Sequence, residues 1–292
     1  SEDKMHINWL QREEALSKIL MNAKLSSGDS YDCVLPISGG KDSAALAIYL
    51  RDKYPSLDME YYTCDTGKEM EETYELIDKL EGYLGKKITR LKAADESSQD
   101  PFDHFFNVYK GYLPSSSQRW CTKKLKLDPF EDFVGTDPVV SYVGIRGDED
   151  REGYISKKTN IQSIFPFRKN IWSEDVISKV LRNDNIDAVI EIYKHLYSST
   201  IDERTVQLIN QKVTVRNTVH QKLSLLLDRG IKEFNAVVFE FLKTTSYPLA
   251  NEPFFPLVNN EDVLVREDIF NTLYNSGVGV PKYYEKVEFE VN

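Results

Sequence analysis

Cysteine is scarce in this chain, which limits the kinds of site that it can build. Its 292 residues contain three cysteines, Cys33, Cys64 and Cys121, at widely separated positions. A disulfide framework needs more cysteines at regular spacing, and an iron–sulfur cluster usually takes four thiolates. We therefore expect a reducing compartment, no disulfide framework and no iron–sulfur cluster.

Histidine and long apolar runs are also lacking. None of the four histidines, His6, His104, His195 and His220, has the spacing of a metal ligand. No apolar stretch approaches the roughly 18 residues of a membrane span, and the charged first residues do not resemble a signal peptide. The sequence predicts a cytoplasmic protein with no protein-held metal site and no membrane partner.

Positive charge is in deficit as well. The chain has 37 Lys and Arg residues against 47 Asp and Glu residues, a net charge of −10. Such a balance argues against a protein that coats nucleic acid through bulk electrostatics. The densest positive cluster, Arg119 to Lys126, is compatible with a local basic groove or with a solvated helix face.

What the chain does contain is an apolar strand pattern that runs into the glycine-rich turn Ser38-Gly39-Gly40-Lys41-Asp42-Ser43 and then into a helix pattern. Glycines let backbone N–H groups approach an anion, and a helix N-terminus supplies partial positive charge. Lys41 adds a full charge and the serines add hydroxyl groups. The turn therefore predicts a phosphate-binding loop, although a plain turn between a strand and a surface helix would share part of the pattern.

The P-loop of GTPases and kinases does not explain this turn. That motif needs a glycine five positions before the Gly-Lys pair and a Ser or Thr directly after it. Here Leu35 and Asp42 stand at those places.

Alternating strand and helix patterns follow the turn. They predict strands over 59–64, 88–91 and 138–145 and helices over 42–53 and 69–84, with a helix over 8–24 before the first strand. This order predicts an α/β fold, an open and mostly parallel sheet with helices on both faces. Ligands of such sheets bind at the carboxyl ends of the strands, where the turn, residues 65–67 and the charged loop 146–151 all fall.

The later part of the chain is mainly helical. Helix patterns cover 174–181, 186–197, 202–227 and 231–243, with Ser173 as a cap of the first. We predict a nucleotide-binding α/β domain over 1–172 and a mainly helical region over 173–292.

The turn is identified as the SGGKDS loop of the PP-loop ATP pyrophosphatases, which cleave ATP between the α and β phosphates. Further motifs resemble the phosphoadenosine phosphosulfate (PAPS) reductase-like family, and among its branches the DndC-like proteins of DNA phosphorothioation. They are Asp65-Thr66-Gly67 with Glu72 and Thr73, Trp120-Cys121-Thr122 with Lys124, Lys126 and Pro129, Gly144 to Glu149 with Arg151, and residues 276–284. The resemblance implies an adenine nucleotide alpha hydrolase-like fold. True PAPS reductases need a redox-active cysteine near the C-terminus, and no cysteine follows Cys121, so we do not expect reductase activity.

The resemblance also implies roles for individual residues. ATP and Mg²⁺ would bind at Ser38, Gly39, Gly40, Lys41, Asp42 and Ser43, with Lys41, Asp42 and Ser43 as the catalytic group. Asp65, Thr66 and Gly67 would meet the adenosine end. The second substrate, an oxyanion or DNA, would bind at Cys121, Lys124, Lys126, Arg146 and Arg151. For Arg146 and Arg151, surface ion pairs with Asp148 and Glu149 are the alternative, and for Asp65 a role in capping the next helix.

Three functions are left open at this stage. The first is an enzyme that adenylates an acceptor for sulfur transfer in nucleic-acid modification or defence, with a protein partner that supplies sulfur or completes the system. The second is the small subunit of assimilatory ATP sulfurylase, which shares the loop and the Asp65-Thr66-Gly67 element. The third is a regulatory module that binds a nucleotide without turnover.

Overall fold

The computed structural model describes residues 31–153, 155–198 and 201–284. The helix predicted over 8–24 lies outside the described residues. Within them, no helix is both long and apolar enough to cross a membrane.

A parallel sheet of five strands forms the centre of the described chain. The strands are β1 (Asp32–Pro36), β2 (Met59–Asp65), β3 (Ile88–Lys92), β4 (Val139–Tyr142) and β5 (Ile161–Ile164). Their order across the sheet is β3-β2-β1-β4-β5. Every neighbouring pair is parallel, with Cys33 of β1 opposite Met59 of β2 on one side and Val140 of β4 on the other.

Helices connect the strands and fill the later part of the chain. They are α1 (Lys41–Lys53), α2 (Glu71–Leu84), α3 (Pro101–Val108), α4 (Trp120–Thr122), α5 (Asp128–Val134), α6 (Glu174–Val180), α7 (Ile186–Tyr197), α8 (Glu203–Asn210), α9 (Val219–Arg229), α10 (Ile231–Leu242) and α11 (Arg266–Asn275). A π-helical turn, Lys123–Leu127, joins α4 to α5, and short 3₁₀ turns span Asn183–Asn185, Pro248–Asn251 and Pro256–Asn259.

The two faces of the sheet are covered by different helices. Because successive side chains of a strand point to opposite faces, Cys33 and Leu35 face one layer and Val34 the other. The Leu35 face packs against α1, α2 and the later helices, whereas the Val34 face packs against Phe130 and Val134 of α5. The predicted α/β fold, with a parallel sheet between helices and a mainly helical later part, is confirmed.

The main core runs through both halves of the chain. It contains Leu35 of β1 and Leu46 of α1 together with Val176 of α6 and Phe234 of α10, all buried in one continuous cluster. Helix α11 returns to pack on α1, the helix that follows the predicted phosphate loop. The domain boundary at residue 172 stays a prediction.

The structure differs from the sequence prediction at three places. The helix predicted over 202–227 is two helices, because a capping box between Thr218 and Gln221 starts α9 anew. Strand β5 was not predicted: its sequence Ile-Gln-Ser-Ile is buried at all four positions and shows no polar alternation towards solvent. Ser173 occupies the N-cap position of α6, but its hydroxyl donates to Asp175 and does not accept from the helix.

Candidate functional site

The predicted phosphate loop lies at the point where the strand order changes direction. β1 sits between β2 and β4, and the chain builds β2 and β3 on one side of it before crossing to β4 on the other. In open α/β sheets such a switch leaves a crevice at the carboxyl ends of the two diverging strands. Residues 37–40 connect β1 to α1 at that crevice.

Hydrogen bonds within the loop fix its shape. The Ser43 hydroxyl accepts from the Ser38 backbone N–H at 3.1 Å and donates to the Gly40 carbonyl at 3.2 Å. The Ser38 hydroxyl accepts from the Gly40 N–H at 3.3 Å. Gly40 is the extended residue before α1, and no side chain caps that helix. Apart from the Lys41 N–H group, which the Tyr284 hydroxyl contacts, the first N–H groups of α1 have no side-chain partner among the described residues and are available to an anion.

Gly39 is required by both conformation and space. Its φ of +77° lies in the left-handed region, which residues with a Cβ rarely adopt. A Cβ at this position would lie 2.2 Å from the Cγ2 atom of Thr73. Thr73 is buried near the start of α2, so this helix supports the loop from behind.

A series of ion pairs links the phosphate loop to the segment after β4. The Lys41 ammonium donates to the Asp42 carboxylate at 2.9 Å, and the Lys41 side chain is 9% exposed. Arg146 donates to the same carboxylate at 3.1 Å. Arg146 also donates to Asp148 at 2.8 Å and lies 3.0 Å from a carboxylate oxygen of Glu149.

Arg146 is therefore a half-buried anchor among three carboxylates. Its pairs with Asp148 and Glu149 match the alternative weighed from the sequence, while the contact with Asp42 was not expected. Arg151 is much more exposed and pairs with Glu149 at 2.6 Å. The structure thus brings Arg146 to the phosphate loop and holds Arg151 on the outer side of Glu149.

Gly144 is a site residue that the sequence analysis did not single out beyond its place in the Gly144 to Glu149 motif. A Cβ on Gly144 would lie 2.9 Å from the Asp42 carbonyl oxygen and 3.1 Å from the Cα atom of Ser43. Only a residue without a side chain lets the backbone after β4 approach the first turn of α1 this closely. The lack of a side chain at Gly144 allows the segment that carries Arg146 to pack against the phosphate loop.

The turn after β2 is organised by its own side chains. Asp65 accepts from the Gly67 N–H and from the Tyr74 hydroxyl, both at 2.9 Å, and Thr66 donates to Glu69 at 2.9 Å. Gly67 has a φ of +75°. Asp65 thus holds the turn and ties it to α2 through Tyr74. It does not cap that helix, whose N-cap residue is Met70.

A cleft of about 160 Å³ opens beside the loop at the carboxyl ends of four strands. We call it the main cleft. It is lined by Pro36, Ile37, Ser38, Tyr62, Cys64, Thr122, Lys126, Leu127, Phe130, Ser141, Val143, Ile155, Ser156 and Ser163. The rings of Tyr62 and Phe130 are stacked at 4.9 Å and form part of its apolar wall. Burial raises the pKa of the Cys64 thiol to about 11, although the nearby Lys126 opposes this shift.

The predicted second-substrate residues are dispersed. Lys126 lines the main cleft. Lys124 pairs with Asp128 at 2.8 Å and lines a separate cleft at the edge of the sheet. Cys121 packs beside the buried cluster around Trp120. Of these residues, Lys126 lines the same cleft as Ser38 of the phosphate loop, and Arg146 donates a hydrogen bond to Asp42 of that loop.

Two tyrosines that received no role in the sequence analysis lie over the loop. The Tyr283 hydroxyl donates to the Gly39 carbonyl at 3.5 Å. The Tyr284 hydroxyl accepts from the Lys41 backbone N–H, and the Lys41 ammonium lies 5.2 Å from the centre of the Tyr284 ring. Val278, buried in the main core, anchors this segment. Its likeness to DndC-like proteins was the one signal in the sequence.

Comparison with known proteins identifies the family of this chain. The chain matches the phosphoadenosine phosphosulfate reductase domain over residues 32–214. It is 32% identical over 154 residues to an uncharacterized protein of Methanocaldococcus jannaschii, and the match covers 48% of this chain and 30% of that relative's length.

A solved structure is also similar. The phosphate complex of the phosphoadenylyl-sulfate reductase of Candida auris matches with a TM-score of 0.34 and 17% identity, over 59% of this chain and 82% of that one. The domain match spans more than half of the chain, from β1 to beyond α8, and includes the phosphate loop, the turn after β2 and the Arg146 segment. The chain belongs to the phosphoadenosine phosphosulfate reductase domain family.

Proposed function

We propose that this protein binds ATP and cleaves it between the α and β phosphates, transferring the adenylyl group to an acceptor and releasing pyrophosphate. One observation carries the proposal: a helix whose N-cap residue, Gly40, has no capping side chain begins with a nearly buried lysine beside an apolar cleft at the switch point of the sheet. The loop suits a polyphosphate and the cleft suits a base, so together they suit a nucleotide.

The phosphate end is supported by charge and by free N–H groups. The backbone at the start of α1 supplies partial positive charge, and Lys41 supplies a full charge from a position with little access to water. Ser38, which lines the main cleft, presents its hydroxyl at the junction of loop and cleft. In this proposal Lys41 and the loop amides stabilise the negative charge that develops on the departing pyrophosphate.

The adenosine end is supported by the apolar wall of the main cleft. The stacked Tyr62 and Phe130, with Leu127 and Val143, offer surfaces against which a purine can pack. In the proposed complex, the turn of residues 65–67 lies at the adenosine end of the nucleotide. Because Asp65 already accepts two hydrogen bonds, its part is to keep the turn in place.

The proposed reaction is an in-line displacement at the α phosphorus. An acceptor oxygen forms a bond to that atom while the bond to the bridging oxygen of the β phosphate breaks, and the electron pair leaves with pyrophosphate. ATP would enter as its magnesium complex, which neutralises part of the phosphate charge. Asp42 is the carboxylate in the loop, and its bonds to Lys41 and Arg146 keep both cations near the phosphates.

For the acceptor we propose nucleic acid and sulfur transfer, with a partner protein as the sulfur source. The support is the resemblance of residues 120–129, 144–151 and 276–284 to DndC-like proteins. Sulfate, the acceptor of ATP sulfurylase, is the competing choice, and a nucleotide sensor without turnover is the third.

Release of pyrophosphate from ATP and Mg²⁺ tests the proposal. The wild type is compared with Lys41→Ala and with Lys79→Ala, which removes an exposed lysine of α2, and circular dichroism checks that each variant is folded. Loss of a charge that acts on the leaving group is expected to slow release by about 100-fold or more. Stimulation by DNA supports the nucleic-acid acceptor, and stimulation by sulfate supports the sulfurylase alternative. ATP binding with no release under either condition, also with cell extract as a source of partners, would favour the sensor.

A further inference from the structure

Another cleft, distinct from the one that Lys124 lines, lies behind one wall of the main cleft. It has a volume of about 150 Å³, and its lining includes Ile155, Ser156 and Ser163, which also line the main cleft. We call it the lysine cleft because Lys157, Lys158 and Lys179 line it. A group held there would be separated from a nucleotide in the main cleft by shared side chains only.

A buried amide N–H group at this cleft lacks an acceptor among the described residues. Gln162 of β5 is 1% exposed and lines the lysine cleft. Its Oε1 atom accepts from the Leu249 backbone N–H at 3.1 Å, which fixes the orientation of the amide. Among the residues that the structure describes, the Nε2 group has no acceptor. Buried donors are nearly always paired, so a group bound in the cleft could supply the acceptor that this N–H group lacks.

The charge around the lysine cleft favours an anion. Three lysines line it against one acidic residue, Asp175. That carboxylate is already engaged, because it accepts from Ser173 at 2.5 Å and from the Tyr247 hydroxyl at 2.7 Å. Lys158 lies 3.5 Å from Glu131, and the Lys179 ammonium lies over the Tyr247 ring. Lys157 pairs directly with no carboxylate of the described residues, and its charge acts at longer range on Glu152 and Asp175.

Three of the four cations first assigned to the second substrate are occupied by comparison, whereas Lys126 lines the main cleft itself. Arg146 contacts three carboxylates, Arg151 pairs with Glu149 and Lys124 pairs with Asp128. An anion that bound to them would have to displace these partners. The lysine cleft offers an amide N–H group and lysines with fewer competing carboxylates. It shares lining residues with the main cleft.

We propose that the lysine cleft binds the anionic group of the second substrate, a tetrahedral oxyanion of the phosphate or sulfate type. The proposal rests on the proposed function in one respect only, that the acceptor is attacked or activated in the main cleft next door. In this proposal the Gln162 amide and the three lysines act as hydrogen-bond donors. The bound oxyanion, which can only accept hydrogen bonds, is their acceptor.

Binding of inorganic sulfate and inorganic phosphate to the nucleotide-free protein tests this site, measured by calorimetry. Gln162→Glu keeps the oxygen that accepts from Leu249 and replaces the amide donor with a carboxylate oxygen. We expect it to weaken anion binding at least tenfold. The surface variant Lys157→Gln with Lys179→Gln is expected to do the same without touching the core, and Lys194→Gln, an exposed lysine of α7, serves as the control.

A second measurement separates this proposal from the proposed function. ATP binding is followed in the same variants and should stay within about twofold of wild type. Anion binding that is unchanged in both Gln162→Glu and the double lysine variant overturns the lysine cleft as an anion site. If ATP does not bind while anion binding still depends on Gln162 and the lysines, the site stands and the proposed function fails. Competition by a short DNA duplex shows whether the phosphate belongs to nucleic acid or is a free ion.

Discussion

The guanidinium of Arg146 donates a hydrogen bond to the Asp42 carboxylate at 3.1 Å, and this bond joins the segment after β4 to the first turn of α1. The same carboxylate accepts from Lys41 at 2.9 Å. Asp42 therefore sets the position of two cations, one from its own helix and one from a distant part of the sequence. The bond assigns Arg146 a positioning role at the phosphate loop.

Replacing Arg146 with Gln should impair turnover more than ATP binding. The change leaves Asp42, Asp148 and Glu149 without their shared cation, and a lost hydrogen bond between charged groups typically costs about 1.5 to 3 kcal/mol. We expect pyrophosphate release to fall by about 10- to 100-fold and the melting temperature to drop. Arg182→Gln, at an exposed arginine paired with Asp184, is the control. Full activity in Arg146→Gln would show that Asp42 needs no second cation.

Gly144→Ala should separate β4 from α1. The new methyl group would lie 2.9 Å from the Asp42 carbonyl oxygen, and backbone atoms cannot move aside as a flexible side chain can. Overpacking of this kind costs about 1 to 3 kcal/mol. We expect a lower free energy of unfolding in denaturant and weaker ATP binding.

Gly82→Ala provides the matched control for that change. Gly82 lies inside α2, and a Cβ there would have no atom within 4 Å. Alanine in a helix is favoured over glycine by about 0.5 to 1 kcal/mol, so this variant should be as stable as wild type or more so. Equal effects of the two substitutions would contradict the close approach at Gly144.

Local signals in the sequence were enough to predict the sheet around the phosphate loop. The Gly-Gly turn precedes α1, Pro55 follows it, and Gly85 ends α2 in a left-handed conformation. The helix predicted over 186–197 coincides with α7 because its apolar spacing is strong and unbroken. Such features depend on residues that are close in sequence.

The remaining features depend on contacts between distant residues. Gln162 and Ser163 look like loop residues until β4 and the later helices bury them. The bond between Arg146 and Asp42, and the contact of Tyr284 with Lys41, exist only because α11 and the segment after β4 return to the start of α1. No local pattern encodes these pairings. The roles of the predicted site residues themselves stay predictions until they are measured.

Tyr284→Phe should bind ATP more tightly than wild type. The Tyr284 hydroxyl accepts from the Lys41 N–H, one of the helix-terminal donors that a phosphate would use. Phenylalanine keeps the ring beside the Lys41 ammonium and removes only this competing acceptor. A net hydrogen bond is worth about 1 kcal/mol, so the Kd for ATP should fall by about fivefold in calorimetry. Tyr274→Phe, at an exposed tyrosine of α11, should leave the Kd unchanged. Weaker binding in Tyr284→Phe would mean that the hydroxyl contacts ATP.

Cys64 should react with iodoacetamide only at high pH. Burial raises the pKa of its thiol from 9.0 to about 11, so at pH 8 about one molecule in a thousand carries the thiolate, against about one in ten for an unshifted thiol. Alkylation, followed by peptide mass spectrometry, should be about 100-fold slower than that of an unshifted thiol at pH 8 and should rise about tenfold per pH unit. ATP should slow it further because Cys64 lines the main cleft.

The same shift has a consequence for stability. Between pH 9 and pH 11 the unfolded chain loses the Cys64 proton while the folded chain keeps it, so the contribution of this thiol is present below pH 9 and is lost as the pH rises towards 11. Cys64→Ser should reduce the fall in unfolding free energy over that interval. Cys33, whose pKa burial raises to about 12, is an internal comparison that ATP should not protect, since it lies in the core. Rapid labelling of Cys64 at pH 8 would mean that the main cleft stabilises a thiolate and would make this cysteine a candidate nucleophile for the proposed sulfur transfer.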